Sequence, residues 1–183
     1  MDGFMANFEK AFKKILFFEG GYSNNKYDSG GETKYGITLK TARSNKYIGE
    51  MKDFPLDLAK KIYKKDYWDT IKGDNIDSQK IAETIFNVGI NIGVKRASLI
   101  IQKVLNALNN RGRYWKELKV DGTFGNISVK TLNKAIKKKY YIEENINFLF
   151  IIKVGNRYYD IVLKKENQEI FLNGWIKRLK NFV

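Results

Sequence analysis

The chain contains neither cysteine nor histidine in 183 residues, and that double absence removes whole reaction classes. Without cysteine there is no disulfide framework and no thiol nucleophile. Without histidine, neither a Ser-His-Asp triad nor the usual zinc site of His and Cys ligands can be assembled. Proton transfer near neutral pH then falls mainly to carboxylic acids with raised pKa, with lysine and tyrosine as the other options. Long apolar runs are missing as well, and no stretch approaches the roughly 20 residues of a membrane span. Residues Met1 to Lys14 include Asp2 and Glu9 and lack the apolar stretch of a signal peptide, so synthesis in the cytoplasm is the expectation.

What is abundant is positive charge. Lys and Arg number 34 against 20 Asp and Glu, a formal net charge of +14 spread along the chain. Such a field favours polyanions: nucleic acid, anionic lipid, or the acidic polymers and peptides of a cell wall. Charge alone does not choose among them, but the chain has no DNA or RNA motif and no Arg-rich strand with interleaved aromatics, so nucleic acid is not expected. At 43% hydrophobic residues, a chain of this length suits one compact core.

Apolar periodicity points to a mainly α protein with one small β element. Phe4, Met5, Phe8, Ala11, Phe12, Ile15 and Leu16 predict an amphipathic helix over about 4–18, which Gly20 and Gly21 stop. Tyr22 to Thr38 reads as a loop with a small hairpin, and Thr38 as the N-cap of a short helix. Asp53 and Pro55 announce a helix over about 56–69, and Asp77 or Ser78 caps another through Ile81, Ile85, Phe86 and Ile92. A further helix follows Gly93. The turn-rich stretch Asn109 to Gly125 divides the chain into lobes 1–108 and 109–183, the second with helices at about 127–139, 143–164 and 168–181. Its Asp121-Gly122 turn lacks the alternating acids of a calcium loop, and Trp115 and Trp175 are expected in the core.

Two carboxylates stand out. Glu19 falls at the expected C-terminal end of the first helix, where the negative end of the helix dipole and the apolar neighbours Phe17, Phe18 and Tyr22 disfavour ionisation. A carboxyl kept protonated in this way can serve as a general acid, and Gly20 and Gly21 would let a bulky ligand approach the backbone. Asp28, nine positions on, lies in a polar turn where it should stay ionised. A protonated and an ionised carboxyl flanking one loop form the apparatus of glycoside hydrolysis.

The run Glu19-Gly20-Gly21-Tyr22, followed by Asp28-Ser29-Gly30-Gly31-Glu32-Thr33-Lys34-Tyr35-Gly36-Ile37-Thr38, resembles the glycoside hydrolase family 108 N-acetylmuramidases. These occur among phage endolysins and secretion-associated muramidases. Similar blocks recur in order at Ala59 to Asp69, Phe86 to Gly93, Val120 to Leu132, Arg157-Tyr158-Tyr159 and Phe171 to Leu179, so the resemblance spans nearly the whole chain. It implies a lysozyme-like helical fold and cleavage of the β-1,4 bond between N-acetylmuramic acid and N-acetylglucosamine, with Glu19 as the acid. It also implies a peptidoglycan-binding C-terminal region, bacterial peptidoglycan as partner, and no metal or cofactor.

The spacing is similar to the Glu, eight residues, Asp arrangement of phage-type lysozymes, but the Thr they carry five residues further is Lys34 here. Thr33 and Thr38 are therefore the candidates for positioning a water. Where the family's helical block is expected to read Phe-Asp, this chain has Asn87; Asn87 and Asn91, four apart, share a helix face on which their amides could meet N-acetyl groups. Tyr67 and Trp68 are candidates for a flat sugar platform, and Tyr22 and Tyr35, inside the motifs, for substrate contact. The stereochemical course stays open. So do a lytic transglycosylase and a non-catalytic module binding peptidoglycan or nucleic acid through its charge. A monomer is expected, reaching the wall through holin-type or other release, in an endolysin or a secretion-associated setting.

Overall fold

A computed structural model of the chain describes residues 5–19, 21–23, 31–138 and 142–183, with the backbone alone at 17–19 and 142. Helix α1 (Phe8–Glu19) leads into a three-stranded antiparallel sheet of β1 (Tyr22–Ser23), β2 (Thr33–Lys34) and β3 (Ile37–Thr38), in that order. The register pairs Tyr22 with Lys34 and Thr33 with Thr38. Tyr35 and Gly36 join β2 to β3 with φ of 53° and 74°. Positive φ at both central residues is the signature of the two-residue hairpin turn whose twist matches the strands. Thr38 then caps α2 (Leu39–Ser44), its hydroxyl accepting from the Thr41 amide at 3.2 Å.

Helix α3 (Leu56–Ile62) starts directly after Pro55 and runs into a π-helical turn over Tyr63–Trp68. Ser78 caps α4 (Gln79–Ile92) by accepting from the Ile81 amide, and from Ile81 to Gly89 every residue but Glu83 is buried. This helix is the axis of the molecule. Against it pack α1, the π turn, α5 (Val94–Ala107) and the long α7 (Ile142–Lys164). Gly93, at φ 87°, makes the sharp junction between α4 and α5 that a residue with a Cβ would resist. Helices α6 (Asn126–Ile136) and α8 (Glu169–Lys180) complete the C-terminal part by packing on α7, α6 also on α5.

Polar contacts stitch the beginning of the chain to its end. Ser78 Oγ donates to Glu143 at 2.5 Å, and the Asp77 amide donates to Asn133 at 3.0 Å. Asn147 donates to the Phe182 carbonyl at 2.6 Å, and the Lys14 ammonium sits 4.4 Å from the centre of the Phe182 ring. The Ser78–Glu143, Asp77–Asn133 and Lys14–Phe182 contacts join residues from the two sides of the expected division at 108/109. Among the described residues no helix is long and apolar enough to cross a membrane.

An aromatic cluster lies in the core where α1, the π turn and α4 meet. Trp68 meets Phe86 edge-on with ring centroids 5.4 Å apart and Phe8 at 5.8 Å, while Phe12 and Tyr63 close the cluster at 5.9 Å. Such edge-on and tilted pairs suit the charge distribution of the rings. Gly73 comes so close behind Trp68 that a Cβ there would lie 2.3 Å from the indole. Gly73→Ala should therefore cost about 1–3 kcal/mol, the usual penalty of overpacking. A lowered urea midpoint with an unchanged m-value would register it.

Candidate active site

Helix α1 ends on Glu19, and its last turn has no basic residue. Within the helix itself, no basic residue faces the negative end of the helix dipole. Only Gly20 and Gly21 separate Glu19 from β1, so its Cα lies within about 11 Å of that of Tyr22, the fully extended reach of three residues. Tyr22 in turn pairs with Lys34, and Ser23 with Thr33. Hence the end of α1 and the Thr33 edge of the sheet share one locale. Asp28 and Gly20 lie outside the described residues, as does the Glu19 side chain; in chain order Asp28 belongs to the connection between β1 and β2.

Gly21 is exposed, and among the described residues a Cβ on it would meet nothing within 4 Å. Tyr22 is 45% exposed, and its hydroxyl donates to Glu32 at 2.6 Å. Glu32 is a carboxylate of this locale outside the residues that the sequence motifs single out. It sits two residues before Lys34, diagonal to Tyr22 across the pair of strands, a relation visible only once the register is known. Tyr35 is partly buried against the core, and its carbonyl accepts from the Tyr63 hydroxyl at 2.9 Å, which helps hold its unusual φ. Lys34, where the lysozyme pattern has Thr, donates to the Lys52 carbonyl and lies 5.3 Å from the Tyr35 ring centre.

Thr33 and Thr38 face each other across β2 and β3, both half-buried. The Thr38 hydroxyl is already engaged by the first turn of α2, 3.0 Å from the Thr41 hydroxyl and 3.2 Å from its amide. Thr38→Ala should cost about 0.5–2 kcal/mol through loss of this cap. Thr38→Ser should restore most of that loss in a thermal melt.

Two expected substrate contacts are corrected. Trp68 is 0% exposed and cannot offer a face to a sugar: its indole Nε1 donates to Asp74 at 2.7 Å, and its rings are wedged among Phe8, Phe86 and Gly73. Asn87 is also 0% exposed, and its side-chain oxygen accepts from Arg178 Nε of α8 at 2.7 Å, so it is used between helices. Asn91 is exposed, with its amide nitrogen 2.8 Å from the Asn87 carbonyl, and Tyr67 is half-buried beside Tyr63. Lys64 braces the Trp68 anchor by donating to both Asp69 and Asp74. Burial pulls its pKa down, but these two carboxylates outweigh burial and hold the ammonium above the ordinary lysine range.

Residues 12–93 match the family model described as Glycosyl hydrolase 108, and residues 96–180 match that described as Predicted Peptidoglycan domain. The solved structure of Brucella abortus SagA shares the fold at a TM-score of 0.71, with 25% sequence identity over 96% of this chain and 90% of that one. No curated protein matches the chain. Together these define a glycoside hydrolase acting on peptidoglycan, built on a lysozyme-like helical fold with a small antiparallel sheet. The chain thus joins a part similar to glycosyl hydrolase 108, over residues 12–93, to one similar to the Predicted Peptidoglycan domain, over residues 96–180, which supports a catalytic part followed by a peptidoglycan-binding region.

Proposed function

We propose that the chain is an N-acetylmuramidase that hydrolyses the β-1,4 bond between N-acetylmuramic acid and N-acetylglucosamine. The observation that supports this most is the position of Glu19 at the C-terminal end of a helix whose last turn has no basic residue, three residues before the sheet that contains Thr33 and Thr38. Glu19, held protonated, donates its proton to the glycosidic oxygen as the bond to the anomeric carbon breaks. Asp28, ionised, either attacks that carbon or orients a water, with Thr33 or Thr38 as the second partner of that water. A carboxyl separation of about 5 Å would give retention, and one of about 6.5–9.5 Å inversion. The sugar approaches over Gly20 and Gly21, with Tyr22, Tyr35, Tyr67 and Asn91 as the contacts that fix it.

Digestion of purified sacculi followed by mass spectrometry of the fragments tests the reading. New reducing N-acetylmuramic acid ends are the expected product. Reducing N-acetylglucosamine ends would move the cut to the other bond, and 1,6-anhydro ends would make the enzyme a lytic transglycosylase. The same chemistry would serve an endolysin that reaches the wall through holin-type release, the setting we favour.

A further inference from the structure

Away from Glu19, in the C-terminal part, a cleft of about 820 Å³ opens between the first turns of α6 and the irregular segment that precedes it. Its size falls in the range of small-ligand sites. Lys116, Lys119, Lys130 and Lys134 line it, all exposed, and none forms a salt bridge among the described residues. The two acids in its wall are already used: Glu117 accepts from Asn109 at 3.0 Å, and Asp121 accepts from Gln102 at 3.1 Å and from the Thr123 amide at 2.8 Å. That amide and Gln102 also hold the Asp121 carboxyl below its ordinary pKa, so it stays ionised and occupied.

Two further features ask for an acceptor. Trp115 lines the cleft at 5% exposure, and its indole Nε1 is buried with no hydrogen-bond partner. Buried donors are almost always satisfied, so this one lacks the acceptor that such a group usually has. The residue is not loosely held, because Asn109 accepts from its amide at 2.9 Å and donates to its carbonyl at 2.7 Å. The other feature is the N-terminus of α6, which begins at Gly125 without a side-chain cap and opens into the same space.

Cations, an indole N–H and free helix amides all select oxygen acceptors, carboxylates above others. A neutral glycan does not satisfy the lysines, and Trp115 is too buried to stack on a sugar ring. We propose that this cleft binds the carboxylate-bearing stem peptide of peptidoglycan, with Trp115 Nε1 donating to one free carboxylate and Lys130 and Lys134 pairing with the peptide's free carboxylates. The inference rests on peptidoglycan as substrate. Anchoring the peptide would raise the local concentration of the glycan at the catalytic part.

The test uses the ¹⁵N-labelled full chain and a synthetic stem tetrapeptide with free carboxylates. The indole resonance absent from Trp115→Phe is that of Trp115, and it should move downfield as the peptide is titrated. Lys130→Gln/Lys134→Gln, at exposed positions that leave the fold intact, should weaken the peptide by about tenfold. The carboxyl-amidated peptide and N-acetylglucosamine trimer should leave the indole signal in place. An unmoved indole, wild-type affinity in the double variant, or an equal response to the amidated peptide would overturn the proposal. So would an equal response to inorganic phosphate at matched ionic strength, which would make the cleft a general anion site. If the chain cleaves sacculi through Glu19 while the indole ignores the peptide, the cleft is refuted and the hydrolase reading stands. An indole that responds in a chain without cleavage refutes the hydrolase reading alone.

Discussion

Glu19→Gln should lower the rate of sacculus hydrolysis by about 10²–10⁴-fold, the usual contribution of a general acid. Glutamine has nearly the same shape but no proton to give at the pH of the reaction, so the loss should fall on kcat and leave KM nearly unchanged. Stability should move the other way. A carboxyl at the negative end of α1, in a last turn with no basic residue, works against the helix dipole. Replacing it with a neutral amide should leave the melting temperature unchanged or slightly raised. An inactive variant that is as stable as the parent marks a group retained for chemistry. The wild-type rate should fall as pH rises through the pKa of Glu19, because only the protonated acid donates; Glu19→Asp, an acid one methylene short, should keep that pH dependence at a reduced rate. A Glu19→Gln enzyme with near-parental turnover on sacculi would remove Glu19 from the mechanism, and Asp28→Asn would then be the next variant to measure.

Much of the fold was readable because local chemistry and tertiary packing agree. Ser78 and Thr38 are caps in the structure as their residue types suggest, Gly93 turns the chain between α4 and α5, and the apolar face of α4 is buried almost without interruption. The failures have specific causes. In a regular helix through Leu58, Ala59, Ile62 and Tyr63, the next inward position would be Tyr67, four residues on, and Trp68 would be free to turn outward. The π turn over Tyr63–Trp68 adds residues to the turn, so that Trp68, five after Tyr63, becomes the buried one. Asn87 shares a helix face with Asn91, as the spacing predicts. What the spacing does not contain is α8, which brings Arg178 onto Asn87 from 91 residues away. Glu32 was passed over for the same reason, since its partner Tyr22 is set by strand register. The two family matches meet between α4 and α5, whereas the lobes divided at 108/109 rest on turn residues and remain our proposal for the organisation of the chain.

Trp68→Ala should be the most destabilising single change in the catalytic part, costing about 3–5 kcal/mol as large-to-small core replacements do. Against a typical total of about 5–15 kcal/mol, that is a large share of the stability of a domain. The cost has three sources in the structure. The indole fills the space between Phe8 of α1 and Phe86 of α4, covers Gly73, and satisfies Asp74, which without it is left to Lys64 alone. Loss of the wedge should loosen α1 first, since Phe8 anchors its N-terminal turn and Glu19 stands at its other end. Activity should accordingly fall with the folded fraction, recover when the variant is cooled or stabilised, and show the parental KM for whatever fraction is folded. Trp68→Phe keeps most of the ring contact while deleting the donor to Asp74, and should lie between the two. Urea unfolding alongside kinetics on sacculi separates this account from the sugar-platform reading: a Trp68→Ala enzyme with parental stability and a raised KM would mean that the indole reaches substrate after all.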